Sequence, residues 1–415
     1  MKIAIIGSGI SGLGAAYLLH PHHDITVYEK GNYLGGHSRT IDISPKGTRT
    51  PVDTGFIVFN HRNYYHLTRM FKHLNVPTIK SDMSFGASIH NGWLEYGSKG
   101  MFAQKRNLLR PRYWKMIWDI LSFNKKALPY LENNKDASLE QCLNDLNLGD
   151  WFKRYYLQAM GAAIWSCSVD TILKFPARTF IRFFDNHGLL SVNQHPQWYT
   201  VKGGSREYVQ RISASFQDHI KLNCGVVSVK RKNGKVEVLD DKGNTETYDQ
   251  IVFACHADQA LKMLDTPTQA EERILGNFTY QKNTVVVHGD TSFMPRKKGS
   301  WASWVYLSEQ QDDQNESVSL SYWMNNLQDI DHDSPVIITL NPGRQPAGHL
   351  IYDMNEFEHP IFTKEAVDAQ EQINTIQGQN NLWFCGAYQQ YGFHEDGLAS
   401  AVRVAQRIGV SIPWE

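Results

Sequence analysis

The alternation of apolar and polar positions divides the chain into five regions. The first is an apolar run of strand length, Ile3-Ala-Ile-Ile6, which breaks at Gly7, Gly9 and Gly12. Leu13-Gly-Ala-Ala-Tyr-Leu-Leu19 then has helical character with small residues on one face, and Asp24-Ile-Thr-Val-Tyr28 is a second strand ending at Glu29. This β-α-β opening predicts an α/β protein with a Rossmann-like nucleotide domain, its first segment reaching to about residue 60. Residues 61–198 carry helical patterns and dense aromatics without a glycine loop, and are assigned to an inserted α+β substrate domain. Ser138-Leu-Glu-Gln141 within them is a capping box opening a short helix. Residues 199–277 return to the nucleotide domain, with a helix over Glu207–Phe216 and strands beginning at Ile220, Val226, Lys235 and Thr245. Asn233-Gly234 and Lys242-Gly243 are turns, and Ile251-Val-Phe-Ala-Cys255 is a buried parallel strand. Residues 278–355 alternate as Asn283–His288, Trp301–Tyr306, Val318–Trp323 and Val336–Leu340, predicting an antiparallel floor to the substrate domain. Glu309–Glu316 is a solvated connection inside it. Residues 356–415 close the nucleotide domain, with Gly409 stopping its last helix.

The chemistry begins in the first turn. Gly7 permits the strand-to-helix corner, Gly9 removes the Cβ that would keep a pyrophosphate from the backbone, and Gly12 with Gly14 lets the helix lie close on the sheet. The pyrophosphate then meets the free N–H groups at the helix start, Ser11 among them. Glu29 stands seventeen residues after Gly12, at the spacing of a ribose-binding acid, with Lys30 beside it.

Four ordered motifs extend this reading. Gly35-Gly36-His37-Ser-Arg39 follows the acid, Val52-Asp53-Thr54-Gly55-Phe56 comes next, Gly203-Gly204-Ser205-Arg206 lies mid-chain, and Cys385-Gly386-Ala-Tyr388 leads to Tyr391-Gly-Phe-His394-Glu-Asp396-Gly397 near the end. Together they resemble the flavin-containing amine oxidase superfamily, which includes phytoene desaturases and protoporphyrinogen oxidases, and in particular a bacterial branch of flavin-binding oxidoreductases. The resemblance implies a glutathione-reductase-type, amine-oxidase-like fold and FAD as cofactor. It implies that Gly35 and Gly36 pass the flavin pyrophosphate, with either His37 or Arg39 as the basic contact, because the usual arginine directly after the glycines is here a histidine. It further implies that Gly55 and Phe56 pass beneath the flavin ring, that Val227 meets the adenine through its backbone, and that Gly386 belongs to the closing flavin motif. Asp396 and Gly397, starting the last helix, face the pyrimidine edge, Asp396 doubling as a helix cap. Tyr388 stands where the family often has an acid.

Three residues are catalytic candidates. His394 falls where amine oxidases carry an aromatic over the flavin face, and an ordinary imidazole there exchanges protons near neutrality. Tyr391 forms a wall beside it. Lys282, after Tyr280-Gln, resembles the lysine that some amine oxidases bind through water to flavin N5. The alternatives are a histidine satisfied by a backbone carbonyl and a surface lysine. The sequence has neither H-E-x-x-H nor C-x-x-C, so no metal is expected, and the lack of G-x-S-x-G leaves serine hydrolysis unsupported.

Composition narrows the partners. Lys plus Arg and Asp plus Glu are 42 each among 415 residues, which gives no overall charge to recommend a nucleic acid. Five scattered cysteines suit reduced thiols in a cytoplasmic protein. The start at Met1-Lys2 directly on the first strand speaks against a leader, and no apolar run approaches the ~20 residues of a membrane span. Arg112–Asn124 is a helix whose polar residues Arg112, Lys115, Asp119 and Ser122 form one stripe, bracketed by Lys105, Arg106, Arg110, Lys125 and Lys126. It is either a core helix or one that dips into an anionic membrane at the inner face. The leading expectation is hydride removal at CH–CH of an apolar, lipid-like acyl or isoprenoid substrate. Amine oxidation at CH–NH and a flavin-binding module without turnover are the alternatives.

Overall fold

A computed structural model of the chain describes residues 1–165, 172–191, 196–310 and 316–415. Its nucleotide half is a five-stranded parallel sheet in the order Ile220–Lys221, Asp24–Tyr28, Lys2–Ile6, Gln250–Phe253, Leu382–Phe384. The continuous apolar runs of these strands suit them to burial on both faces. One face carries the helices Ile10–Leu19 and His394–Ile408, whose side chains share a core with Leu67, Met70 and Phe71. The other is covered by the meander Val226–Lys232, Lys235–Asp240, Thr245–Tyr248 and by the helices Ala257–Met263, Gln269–Leu275 and Lys364–Gln372.

The small residues of the first helix have two different neighbours. A Cβ on Gly12 would stand 1.9 Å from the Gly7 carbonyl oxygen, so this glycine seats the helix on its own strand. Gly14 instead faces the closing helix, where a Cβ would lie 2.7 Å from Leu398. The amino-terminal ends of both helices therefore converge, and a Cβ on Gly397 would meet Ile10 and Ser11 at 2.8 and 2.9 Å.

The second half is a seven-stranded sheet in the order Ile351–Ile361, Thr279–His288, Ile337–Leu340, Glu316–Trp323, Trp304–Gln310, Phe85–Ile89, Leu94–Gly97. Its pairs are antiparallel except Phe85–Ile89 with Trp304–Gln310. The strands before residue 100 fall in a region expected to be helical. They are four or five residues long and interrupted by glycine and polar side chains, too short for a clear alternation. Two expected boundaries also cut across packed elements. Helix Tyr65–His73 buries its apolar side in the nucleotide core, and strand Ile351–Ile361 runs through position 356 as the partner of Thr279–His288.

Local signals hold where hydrogen bonds are local. Ser138 Oγ accepts from Gln141 N at 3.1 Å to open helix Leu139–Asp145, and Gly409, at φ +96°, closes the last helix. Helix Pro111–Asn133 departs from its expected pattern. Asp119 is buried, bound by Lys115 Nζ at 3.0 Å and Gly149 N at 3.1 Å, whereas Trp114, Trp118 and Leu121 are exposed. Among the described residues no helix is long and apolar enough to cross a membrane. Cys142, Cys224, Cys255 and Cys385 are unbridged; Cys167 and residues 311–315 of the solvated connection lie outside the described residues.

Candidate active site

A cavity of about 1010 Å³ runs from the glycine turn into the space between the two sheets. That is the top of the range for small-molecule sites, roughly 300–1,000 Å³. Gly7, Gly9, Ser11, Glu29, Lys30, Gly35, Gly36, His37, Gly55, Phe56, Gly386, Tyr391 and His394 all line it. The turn is built by backbone conformations that favour glycine: Gly7 at φ +106°, Gly35 at +113° and Gly36 at +58°. Gly35 N donates to Ser8 O at 3.0 Å, which lays the second glycine pair against the first. Glu29 takes Ser8 N and Gly31 N at 3.0 and 2.7 Å, fixing the carboxylate at the cavity edge.

The cradle fits a dinucleotide on two observations. A Cβ on Gly9 would meet nothing within 4 Å, so the glycine opens space toward the first-turn N–H groups of the helix. His37 Nε2, buried against the same cavity, has no hydrogen-bond partner among the described residues.

Six expected residues do not line the cavity: Gly12, Arg39, Val227, Lys282, Asp396 and Gly397. Arg39 forms a two-pronged pair with Asp353 at 2.7 and 3.2 Å, which turns its guanidinium to the far strand. His37 is left on the wall, but burial and then the nearby His256 hold it neutral at a pKa of about 4, so it offers no cation. It stacks on Phe357 at 4.7 Å beside His359, itself held down to about 3 by burial. Lys30 is the cation at this wall with no ion pair among the described residues. Val227 is exposed, and its neighbours Gly225 and Val226 reach the cavity in its place. Lys282 is 68% exposed and pairs with Glu356 at 3.0 Å. Tyr280 and Val285 of the same strand line the cavity, whereas Lys282 between them does not.

The closing helix starts at His394, two residues earlier than expected. Asp396 therefore sits in its first turn and accepts from Phe393 N at 2.9 Å instead of occupying the cap position. Burial pushes its carboxyl up to about 7. His394 stacks on Phe56 at 3.9 Å with 9° between ring planes, and its Nε2 lies 2.6 Å from Tyr208 Oη and 3.0 Å from Ser38 Oγ. Burial lowers its pKa to about 3, which removes the expected proton exchange near neutrality and leaves a fixed, neutral aromatic face.

His187, the residue that caps helix Ala177–Asn186, belongs to no sequence motif. It lines the cavity, stacked on Phe183 at 3.8 Å. Its Nδ1 lies 2.9 Å from the Phe183 carbonyl, which can only accept, so Nδ1 carries the proton. Burial lowers the ring pKa to about 4, and Nε2 is consequently an unprotonated acceptor with no partner among the described residues. The chamber also includes Met83, Phe85, Trp198, Trp304, Tyr322 and Ile338, drawn from the sheets and adjoining loops.

A glycine turn feeding a helix end, joined to an aromatic chamber, defines a dinucleotide-dependent oxidoreductase in which the protein aims a C–H bond and the cofactor takes the electrons. The chain belongs to the flavin-containing amine oxidoreductase family, whose model matches residues 10–340. A flavin in a dinucleotide cradle is FAD, and the protein is a flavin-dependent oxidoreductase. No protein of curated function matches it in sequence. Its structure is similar to the CLA-producing fatty acid isomerase from P. acnes, at TM-score 0.69 and 14% identity, covering 98% of each chain. It is similar to cyclohexylamine oxidase from Brevibacterium oxydans IH-35A, at TM-score 0.69 and 14% identity over 98% of this chain and 99% of the other. Reduced UDP-galactopyranose mutase matches at TM-score 0.66 and 13% identity, over 98% and 94%. At such identities the likeness is one of fold.

Proposed function

We propose that the enzyme removes a hydride at CH–CH from an apolar, lipid-like acyl or isoprenoid substrate, and that the two large sheets divide it into flavin and substrate domains. The observation that carries this reading is the chamber wall of Met83, Phe85, Trp198, Trp304, Tyr322 and Ile338, which among the described residues has no carboxylate to hold a cationic amine. Of the carboxylates elsewhere on the cavity wall, Glu29 is held by Ser8 N and Gly31 N and Glu356 pairs with Lys282, while Glu358 stands 3.3 Å from His256, whose imidazole burial holds neutral at a pKa of about 4. When bound, FAD accepts the hydride at N5. Gly7, Gly9, Ser11, Gly35 and Gly36 cradle its pyrophosphate, Glu29 takes the ribose, and Gly55, Phe56 and Gly386 follow the ring and its tail. Gly397 and Asp396 act one layer back, holding the closing helix against the first. His394 and Tyr391 form the aromatic wall that fixes the substrate and keeps water out. Peripheral contact with an anionic membrane at the cytoplasmic face suits such a substrate.

One observation favours oxidation at CH–NH instead. The unprotonated Nε2 of His187, among Phe183 and Phe393, would accept an N–H from a neutral amine. Anaerobic mixing separates the two readings. Bleaching of the oxidised flavin band by unsaturated phospholipids and not by polyamines or aromatic amines is expected; bleaching by amines alone overturns the lipid reading.

A further inference from the structure

Of the fourteen large apolar side chains exposed among the described residues, six fall between positions 93 and 121: Trp93, Leu108, Leu109, Trp114, Trp118 and Leu121. They form one surface. Trp114, Trp118 and Leu121 stand at i, i+4 and i+7 on the outer side of helix Pro111–Asn133, whose inner side buries Tyr113, Met116, Phe123 and Ala127. The turn Lys105–Leu109 extends the row, because Trp114 Nε1 donates to Leu108 O at 3.0 Å. Trp93 joins through Arg110, whose guanidinium lies 4.7 Å from its ring centre. Leu109 is 86% exposed and Trp118 71%, a degree of exposure that a lone protein in water has no reason to hold in one patch.

The charge around this patch is of one sign. Residues 93–126 contain eight cations and two acids, Glu95 and Asp119, and both acids are buried. Lys105, Arg112, Lys125 and Lys126 are exposed and have no carboxylate partner among the described residues, while Lys125 continues the row of Trp114, Trp118 and Leu121. We propose that this face docks on an anionic lipid bilayer, with Trp118, Leu109 and Leu121 inserted at headgroup depth and the surrounding lysines and arginines on the lipid phosphates. Tryptophan suits that depth because one end of the indole is apolar and the other is a donor. An amphipathic helix lying in the interface needs this pairing of apolar insertion and basic flanks. The buried side of the same helix packs on helix Ala177–Asn186, whose Phe183 and capping His187 line the cavity, so the docked surface is one helix layer from the chamber. The purpose of the surface rests on the lipid reading above; its existence does not.

The test is flotation of the FAD-loaded protein with vesicles of phosphatidylcholine containing phosphatidylglycerol, beside pure phosphatidylcholine vesicles and size exclusion without lipid. The parent protein is expected to float with the anionic vesicles at low salt and to be released as salt rises. A cation at an anionic surface contributes about fivefold to association, so Lys125→Ala with Lys126→Ala weakens it about 25-fold. Trp118→Glu abolishes flotation while flavin content stays at the parent value, which separates docking from folding and from turnover. Failure of the parent protein to float at low salt, or flotation of Trp118→Glu equal to the parent, overturns the proposal. So does a concentration-dependent dimer that Trp118→Glu makes monomeric, which would assign the face to a second copy of the chain.

Discussion

Replacing Gly9 by Ala separates a glycine kept for its ligand from one kept for packing. Gly9 has φ −67° and ψ −177°, a conformation open to alanine, and a Cβ there touches nothing within 4 Å. The stiffer unfolded chain favours alanine by ~0.4–1 kcal/mol. The poorer helix cap opposes it by a similar ~0.5–1 kcal/mol. Apoprotein stability should therefore change by less than about 1 kcal/mol. The same methyl would occupy the space through which a pyrophosphate oxygen reaches the first-turn N–H groups. Losing one hydrogen bond to a charged group costs ~1.5–3 kcal/mol, or about 10- to 150-fold in FAD affinity. Gly12→Ala is the contrasting case: its Cβ would lie 1.9 Å from the Gly7 oxygen and 3.2 Å from Ala254 Cβ, so the helix must leave the strand and the protein should unfold more easily whether or not FAD is present. The assay is FAD titration of apoprotein together with denaturant unfolding of both variants. Gly9→Ala with unchanged FAD affinity would refute the assignment of the pyrophosphate to this turn.

Arg39→Leu leaves Asp353 without its partner in a site where the two side chains are 19% and 24% exposed; a loss of about 2 kcal/mol of stability is expected, with FAD affinity unchanged. Loss of FAD at unchanged stability would return Arg39 to the phosphate. His394→Ala should slow anaerobic flavin reduction by up to ~100-fold while flavin content holds, and His394→Phe should recover part of the rate by restoring the stack on Phe56; a fall in flavin content alone would make the histidine structural. Asp396 binds its proton more tightly folded, at a pKa of about 7, than at the ordinary 3.8. Its stabilisation is thus complete below pH ~4 and is lost as pH climbs through ~7, amounting to about 4 kcal/mol at most. Asp396→Asn should flatten the unfolding free energy of the apoprotein across that window, and an unchanged pH profile would count against the buried acid. Lys282→Ala should leave the rate of flavin reduction at the parent value, and a marked drop would restore it to the active site.

Residues close in the chain were read well because their physics is local. The turn at Gly7 and Gly9, the Ser138 side-chain cap on Gln141 N and the stop at Gly409 each depend on neighbours a few positions away, and each forms where the sequence places it; the return arm of the Ser138 box does not form. What the sequence could not determine was the direction of side chains whose partners are distant. Arg39 was expected to have an even claim on phosphate until Asp353, 314 positions along the chain, was brought beside it. Lys282 and Val285 share one strand, and only sheet pairing decides which faces the cavity. The low pKa of His394 comes from burial against Phe56 and Tyr208, which lie far apart in sequence. His187 presents Nε2 without a partner among the described residues because Nδ1 is turned onto the Phe183 carbonyl at the cavity edge. Backbone conformation is dictated by a residue and its immediate neighbours, so the glycine turn was legible from sequence. Burial and charge are properties of the assembled surroundings, and these were decided only when the two sheets closed on each other.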